Sequence, residues 1–131
     1  MARGLPMILD TCALIFLAMG DGRLSRSART QLGRAPGRWY CAISAFEIAV
    51  KHRQGKLELP APPLPWLREL TARYALSELP VDSGLCLAAA SLPAHHRDPF
   101  DRLIIAAALR LDVPVVTTDR QFAAYDVAIV A

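Results

Sequence analysis

The sequence predicts an α/β fold in one domain spanning residues 1–131, with a parallel sheet of four to five short strands covered by helices. Three observations lead there. Strand-like and helix-like segments alternate along the chain. The strand-like segments are short apolar runs that read as buried. And 131 residues, 53% of them hydrophobic, suffice for one core without staples, with no repeat or linker to mark a second.

Each element has a local reason. "PMIL" is a short buried strand that runs at once into "DTCALIFLAMG", a helix closed by Gly20 and Gly22. "SRSARTQLGR" is a second helix with Ser25 as its N-cap. "RWYCAI" is strand-like by its aromatic and β-branched content, and "SAFEIAVKHRQG" is a helix stopped by Gly55. "LPAPPLP", with four prolines in seven residues, is an extended connector. "WLRELTARYA" is amphipathic, with Trp66, Leu67, Leu70 and Tyr74 near one stripe. "LSELPV" is a short strand, and "DSGLCLAAASL" is a helix that stops at Pro93. "PFDRLIIAAALRLD" is a strongly apolar helix, "VPVVTT" a buried strand, "DRQFAAY" a short helix and "VAIV" a last strand.

Composition excludes several classes. Cys12, Cys41 and Cys86 are far apart, odd in number and without a C-x-x-C, which argues against a disulfide framework or zinc knuckle. Apolar neighbours make each a small buried hydrophobe, in keeping with a reducing cytoplasm. The opening "MARGLPMILDTCALIFLAMG" has the early arginine and apolar stretch of a signal peptide, but Asp10 interrupts it. No segment reaches the ~20 apolar residues of a membrane span, so the expectation is a soluble, cytoplasmic protein. Net charge is +3, and 13 of the 15 basic residues are arginine, whose planar fork suits phosphate and carboxylate partners. So modest a charge does not by itself distinguish nucleic acid from an acidic protein.

Four carboxylates fall at strand-to-helix junctions. Asp10 follows "MIL" and Asp119 follows "VPVVTT", so both lie at the carboxyl ends of strands, where open parallel sheets form their sites. Glu47 in "SAFE" and Asp101 in "DPFD" sit in the first turns of helices whose N-termini open on the same edge. Each has an ordinary explanation. Ser44 and Glu47 fit a capping box, Asp98 is a good N-cap before Pro99, Asp101 complements the helix dipole, and Asp119 caps the helix after it. Taken together, however, four acids on one edge repel one another unless a cation offsets them. Hard ions such as Mg²⁺ or Mn²⁺ prefer carboxylate oxygens, so a metal site is expected. An ion there activates water and neutralises charge on a phosphodiester, and one ion or two fit the reading equally.

At these residues the chain resembles the PIN-domain family, and within it VapC-type toxins of VapBC toxin–antitoxin pairs. The resemblance is carried by "ILDTCALIFL", "ISAFEIAVKHRQGKLELP", "HHRDPFDRLIIAAAL" and "VPVVTTDRQFAAYDV", in that order and over nearly the whole chain. It implies a three-layer α/β/α fold and a small Mg²⁺- or Mn²⁺-dependent endoribonuclease that cleaves RNA with a metal-activated water. It also implies an acidic quartet of Asp10, Glu47, Asp101 and Asp119 as catalytic metal ligands, with Asp98 a further ligand or, preferably, a cap. A homodimer and a cognate VapB-type antitoxin are implied as well. Members often carry Ser or Asn where Cys12 follows "DT", so a direct hydrogen-bonding role at position 12 does not carry over.

Further residues gain or lose interest beside these. Arg97, Arg102 and Arg120 flank the acids and are expected to contact RNA phosphates, with surface salt bridges as the alternative. Thr118 and Thr11 adjoin acids; Thr118 is a candidate for orienting carboxylate or water, and Thr11 is expected to bond locally to backbone. His95 and His96 lack partners at zinc-like spacing and are expected on a loop or surface. His52, near a helix end, is explained by the dipole. Trp39 and Tyr40 are expected in core or interface rather than stacked on bases. An RNA-processing PIN nuclease, or a catalytically silent RNA- or protein-binding module, would share these features. A signalling receiver would need a lysine after its last strands, and the lysines here are Lys51 and Lys56.

Overall fold

A computed structural model describes residues 4–20 and 22–131. Five strands, β1 (Met7–Leu9), β2 (Arg38–Cys41), β3 (Leu76–Leu79), β4 (Val115–Val116) and β5 (Ile129–Val130), form one sheet in the order β3-β2-β1-β4-β5. Every pairing is parallel. The helices are α1 (Thr11–Met19), α2 (Arg26–Arg34), α3 (Ala42–Arg53), α4 (Pro63–Tyr74), α5 (Ser83–Ala90) and α6 (Pro99–Leu111), followed by a 3₁₀ helix at Arg120–Ala124. None of the described helices is long and apolar enough to cross a membrane.

Successive strand residues point to opposite faces, and both faces are covered. Ile8 and Val115 pack with Leu85, Ala89, Ile104, Ile105 and Phe122, from α5, α6 and the 3₁₀ helix. Met7, Leu9 and Val116 pack on the other face with Ala13, Leu17, Ala28 and Leu32, from α1 and α2. Tyr40 and Ile48 join Trp66 and Leu70 of α4 in a third cluster. The result is the expected helix–sheet–helix sandwich.

Local chemistry sets the ends. The Ser25 hydroxyl accepts from Ala28 N–H at 3.0 Å, as the sequence predicts. Gly20 ends α1 with φ +64°, a left-handed conformation that costs glycine little. The proline run does not stay extended: α4 opens at Pro63, because proline's fixed φ and missing N–H suit a first turn.

Two expectations need correction. α3 begins at Ala42, straight out of β2, so Ser44 and Glu47 are buried one turn apart inside the helix rather than forming a capping box. Cys41 is buried, but Cys12 and Cys86 are exposed. On α5, Leu85 and Ala89 share the buried stripe and Cys86 lies ~100° around the axis. On α1, Cys12 stands outside the buried set Thr11, Ala13, Leu14, Ile15 and Leu17.

Candidate metal centre

The strand order fixes where a site can form. From β1 the chain steps to β2 and β3 on one side, then returns to β4 and β5 on the other. Beyond the carboxyl ends of β1 and β4 such a reversal leaves a crevice. Leu9 is in register with Val116, so the next residues, Asp10 and Thr117, emerge side by side.

Asp10 is 3% exposed. Its Oδ1 accepts from Ala13 N–H at 2.8 Å, capping α1, and its Oδ2 accepts from the Thr117 hydroxyl at 2.5 Å. The Thr117 oxygen in turn accepts from Asp119 N–H at 3.0 Å. Asp119 divides its oxygens likewise: Oδ1 accepts from Gln121 N–H at 2.9 Å, and Oδ2 lies 3.0 Å from His96 Nε2. Asp101, in the first turn of α6, places Oδ2 3.1 Å from the same His96 nitrogen. Capping and site roles are therefore not alternatives for Asp10 and Asp119, since each carboxylate uses one oxygen for each.

Glu47 comes from α3. Its Oε2 pairs with Lys51 Nζ at 3.0 Å, while its Oε1 is enclosed without a hydrogen-bond partner. The Thr11 and Ser44 hydroxyls meet at 2.8 Å, tying α1 to α3 beneath the acids; the local backbone bond expected of Thr11 gives way to this contact.

The electrostatics show that the acids share one environment. Burial, chiefly, pushes the Asp10 carboxyl up to about 6 against the hydrogen bonds from Thr117 and Ala13, with the charges of Asp119 and Glu47 adding to the rise. Burial also leads at Asp101, joined by the charge of Asp98, and His96 only partly offsets it; Asp10 and Glu47 raise it further, to about 7. Although Cys12 is exposed as a residue, partial desolvation of its thiol beside the site and the charge of Asp10 push it up to about 11, which makes it a poor nucleophile. Among the described residues, His96, Asp101 and Asp119 each offer a ligand atom within 4.8 Å of the others. Oxygen donors, mutual repulsion and the orphaned Glu47 oxygen are what a hard divalent cation would satisfy. His96, Asp101 and Asp119 are the residues close enough to share it; Asp10 and Glu47 lie outside that group and join it through the charges they exert on Asp101.

His96 and Thr117 are the residues that sequence reasoning missed. His96 lies on a loop, as expected, but is not at the surface: its ring packs edge-on against Phe122, 5.7 Å between centroids. Asp98 N–H approaches its Nδ1 at 3.3 Å. That leaves the proton of a neutral ring on Nε2, facing Asp101 and Asp119, so His96 positions both carboxylates. Asp98 caps α6 through Phe100 N–H at 2.9 Å, the role preferred for it. Thr118, proposed to orient a carboxylate or water, is exposed; Thr117 makes the contact to Asp10. Period-two alternation was the available signal, because Thr117 and Asp119 share a parity that Thr118 does not. Replacing Thr117 by valine is expected to weaken divalent-ion binding about 10- to 100-fold by calorimetry, with Thr117→Ser restoring it.

Arg102 also departs from expectation. Its guanidinium turns inward and donates to five backbone carbonyls, of Ala89, Ala90, Leu92, Pro93 and His96, at 2.7–3.3 Å. Those donors hold the turn that carries His96 and are not available to phosphate. Asp101 and Arg102 are adjacent on a helix and so point ~100° apart. Arg102→Gln is expected to cost about 2–3 kcal/mol by denaturant unfolding, as loss of charged hydrogen bonds to buried acceptors does. Arg97 and Arg120 are exposed beside His96 and Asp119. His95 is exposed and edge-on to Tyr125, and His52 closes on the Leu57 carbonyl at the end of α3. Trp39 packs against the core and Tyr40 is buried, donating to Glu78 at 2.9 Å.

Comparison with known proteins agrees with this fold. A PIN domain profile matches residues 7–128. Ribonuclease VapC22 of Mycobacterium tuberculosis (strain ATCC 25618 / H37Rv) is 30% identical over 116 residues, 88% of each chain. Similar folds occur in VapBC2 from Rickettsia felis bound to a DNA fragment from their promoter (TM-score 0.71, 13% identity, 96% of this chain and 98% of that one). They occur also in a toxin–antitoxin complex from Klebsiella pneumoniae (TM-score 0.66, 19% identity, 95% and 96%). DNA-bound VapBC from Salmonella typhimurium is a third (TM-score 0.66, 19% identity, 96% and 97%). At such identities the solved structures speak to the fold alone.

Proposed function

The chain belongs to the PIN-domain family, in its VapC-type branch, and from that premise we propose that it is a Mg²⁺- or Mn²⁺-dependent endoribonuclease, the toxin of a type II toxin–antitoxin pair. One observation carries the catalytic part. Asp10 is buried and Asp101 half-buried, both with raised pKa values, in one crevice where Glu47 Oε1 has no partner. An arrangement so costly to a folded chain is explained by a function.

A divalent cation held by Asp10, Asp101, Asp119 and Glu47 would supply a lowered pKa for water and charge neutralisation at the phosphodiester. The chain supplies the rest. Thr117 fixes the Asp10 carboxylate, His96 fixes Asp101 and Asp119, and Lys51 fixes Glu47. Arg97 and Arg120 stand at the rim, where a guanidinium would bind the phosphates flanking the scissile one. A VapB-type antitoxin and a second copy of the chain are the protein partners this reading assigns, and it takes the protein to act in the cytoplasm. The similarity to chains of toxin–antitoxin complexes supports the first partner.

The test is RNA cleavage by the purified protein in Mn²⁺ and in EDTA. Cleavage confined to the ion-containing reaction is expected; equal cleavage in chelator would overturn the proposal.

A further inference from the structure

Phe46 and Phe100 stand beside the acid cluster, and holding an ion uses neither. Phe46 immediately precedes Glu47 on α3, and Phe100 immediately precedes Asp101 on α6. Their ring centroids lie 5.9 Å apart with the planes inclined by 48°. Phe100 is half-buried, whereas Phe46 is 58% exposed. Single exposed apolar residues such as Leu64 and Leu87 are ordinary. Phe46 differs in being steadied by a second ring and placed next to two of the acids. Arg97 and Arg120, the sequence neighbours of His96 and Asp119, are exposed cationic groups.

Carboxylates that can take a hard cation, guanidinium groups for phosphate and an open aromatic ring together match one kind of ligand, a nucleotide chain with an unpaired base. A paired base has both faces covered by its neighbours, so only a splayed one can lie on a phenyl ring. We propose that Phe46, backed by Phe100, is a stacking platform for an unpaired base next to the scissile phosphodiester. This inference rests on the nuclease reading above.

Two readouts test it. Base–aromatic stacking contributes roughly 1–3 kcal/mol, so Phe46→Ala is expected to lower kcat/KM on a short single-stranded oligoribonucleotide about tenfold or more. Phe46→Trp is expected to retain it, and calorimetric Mn²⁺ affinity is expected to be unchanged in both. In a Phe46→Trp, Asp101→Asn double variant, in which cleavage is too slow to consume the strand during the titration, the same single strand is expected to quench the introduced indole saturably. The strand annealed to its complement, or inorganic polyphosphate, should not.

If the parent cleaves and Phe46→Ala cleaves equally well, the platform is overturned and the nuclease reading stands. A parent that cleaves no RNA overturns both. Quenching by an antitoxin peptide but not by RNA, or a change in gel-filtration mass in place of a change in kcat/KM, would assign the rings to a protein contact and also overturn it.

Discussion

Asp101→Asn is expected to slow ion-dependent RNA cleavage about a thousandfold and, in the same protein without ion, to raise the thermal midpoint. The first effect follows from charge stabilisation by a bound cation, several kcal/mol in the transition state at about 1.4 kcal/mol per tenfold. The second follows from what surrounds the carboxyl. Asp101 is largely removed from water and feels Asp98, Asp10 and Glu47, with His96 as its only offset among the causes of its shift. A neutral amide of the same shape still accepts from His96 Nε2–H but no longer repels its neighbours. Cleavage rates at saturating Mn²⁺ and melting curves in EDTA check the pair of effects. A variant with parental activity and a lowered midpoint would show that Asp101 serves the fold and not the site.

The ion-free protein is also expected to lose stability as pH rises from about 4 to about 7. Asp10 and Asp101 have folded values near 6 and 7 against an ordinary 3.8. Within that window the unfolded chain has released protons that the folded chain keeps. Fewer protons on the unfolded state means that stability falls with rising pH, and the fall levels off above the folded values. A divalent cation must displace those protons to bind, so its affinity should climb through the same window and saturating ion should flatten the stability profile. Melting midpoints across pH with and without Mn²⁺ measure this. A midpoint that rises between pH 4 and 7 in EDTA would show that the acids are stabilised as anions by the protein itself.

Much of this was legible in the sequence because it depends on local chemistry. Short apolar runs ending in acids placed Asp10 and Asp119 at strand ends, and an apolar helix opening on "DPFD" placed Asp101 in its first turn. Family resemblance and strand periodicity then agreed on one edge of one sheet. What was not legible depends on register and on long-range approach. The capping box failed because the N-cap of α3 is Cys41 and not Ser44, and no local signal shows that Cys41 ends a strand and begins a helix at once. Sequence could not relate Ser44 to Thr11 across 33 positions. His96 lacked partners at zinc-like spacing because its partners are two acids further along the chain, Asp101 and Asp119, brought to it by a turn that Arg102 holds from beneath. Arginine at position 102 looked like a phosphate ligand because composition reports charge and not direction.

The central claim is that Asp10, Glu47, Asp101 and Asp119 share one cation. Crystals grown with Mn²⁺ and measured for anomalous scattering test it most directly. The expected result is a peak about 2.0–2.2 Å from carboxylate oxygens of Asp101 and Asp119, within reach of Asp10 and Glu47 directly or through water. Full anomalous signal elsewhere on the molecule, with these four side chains undisturbed and no peak between them, would contradict it.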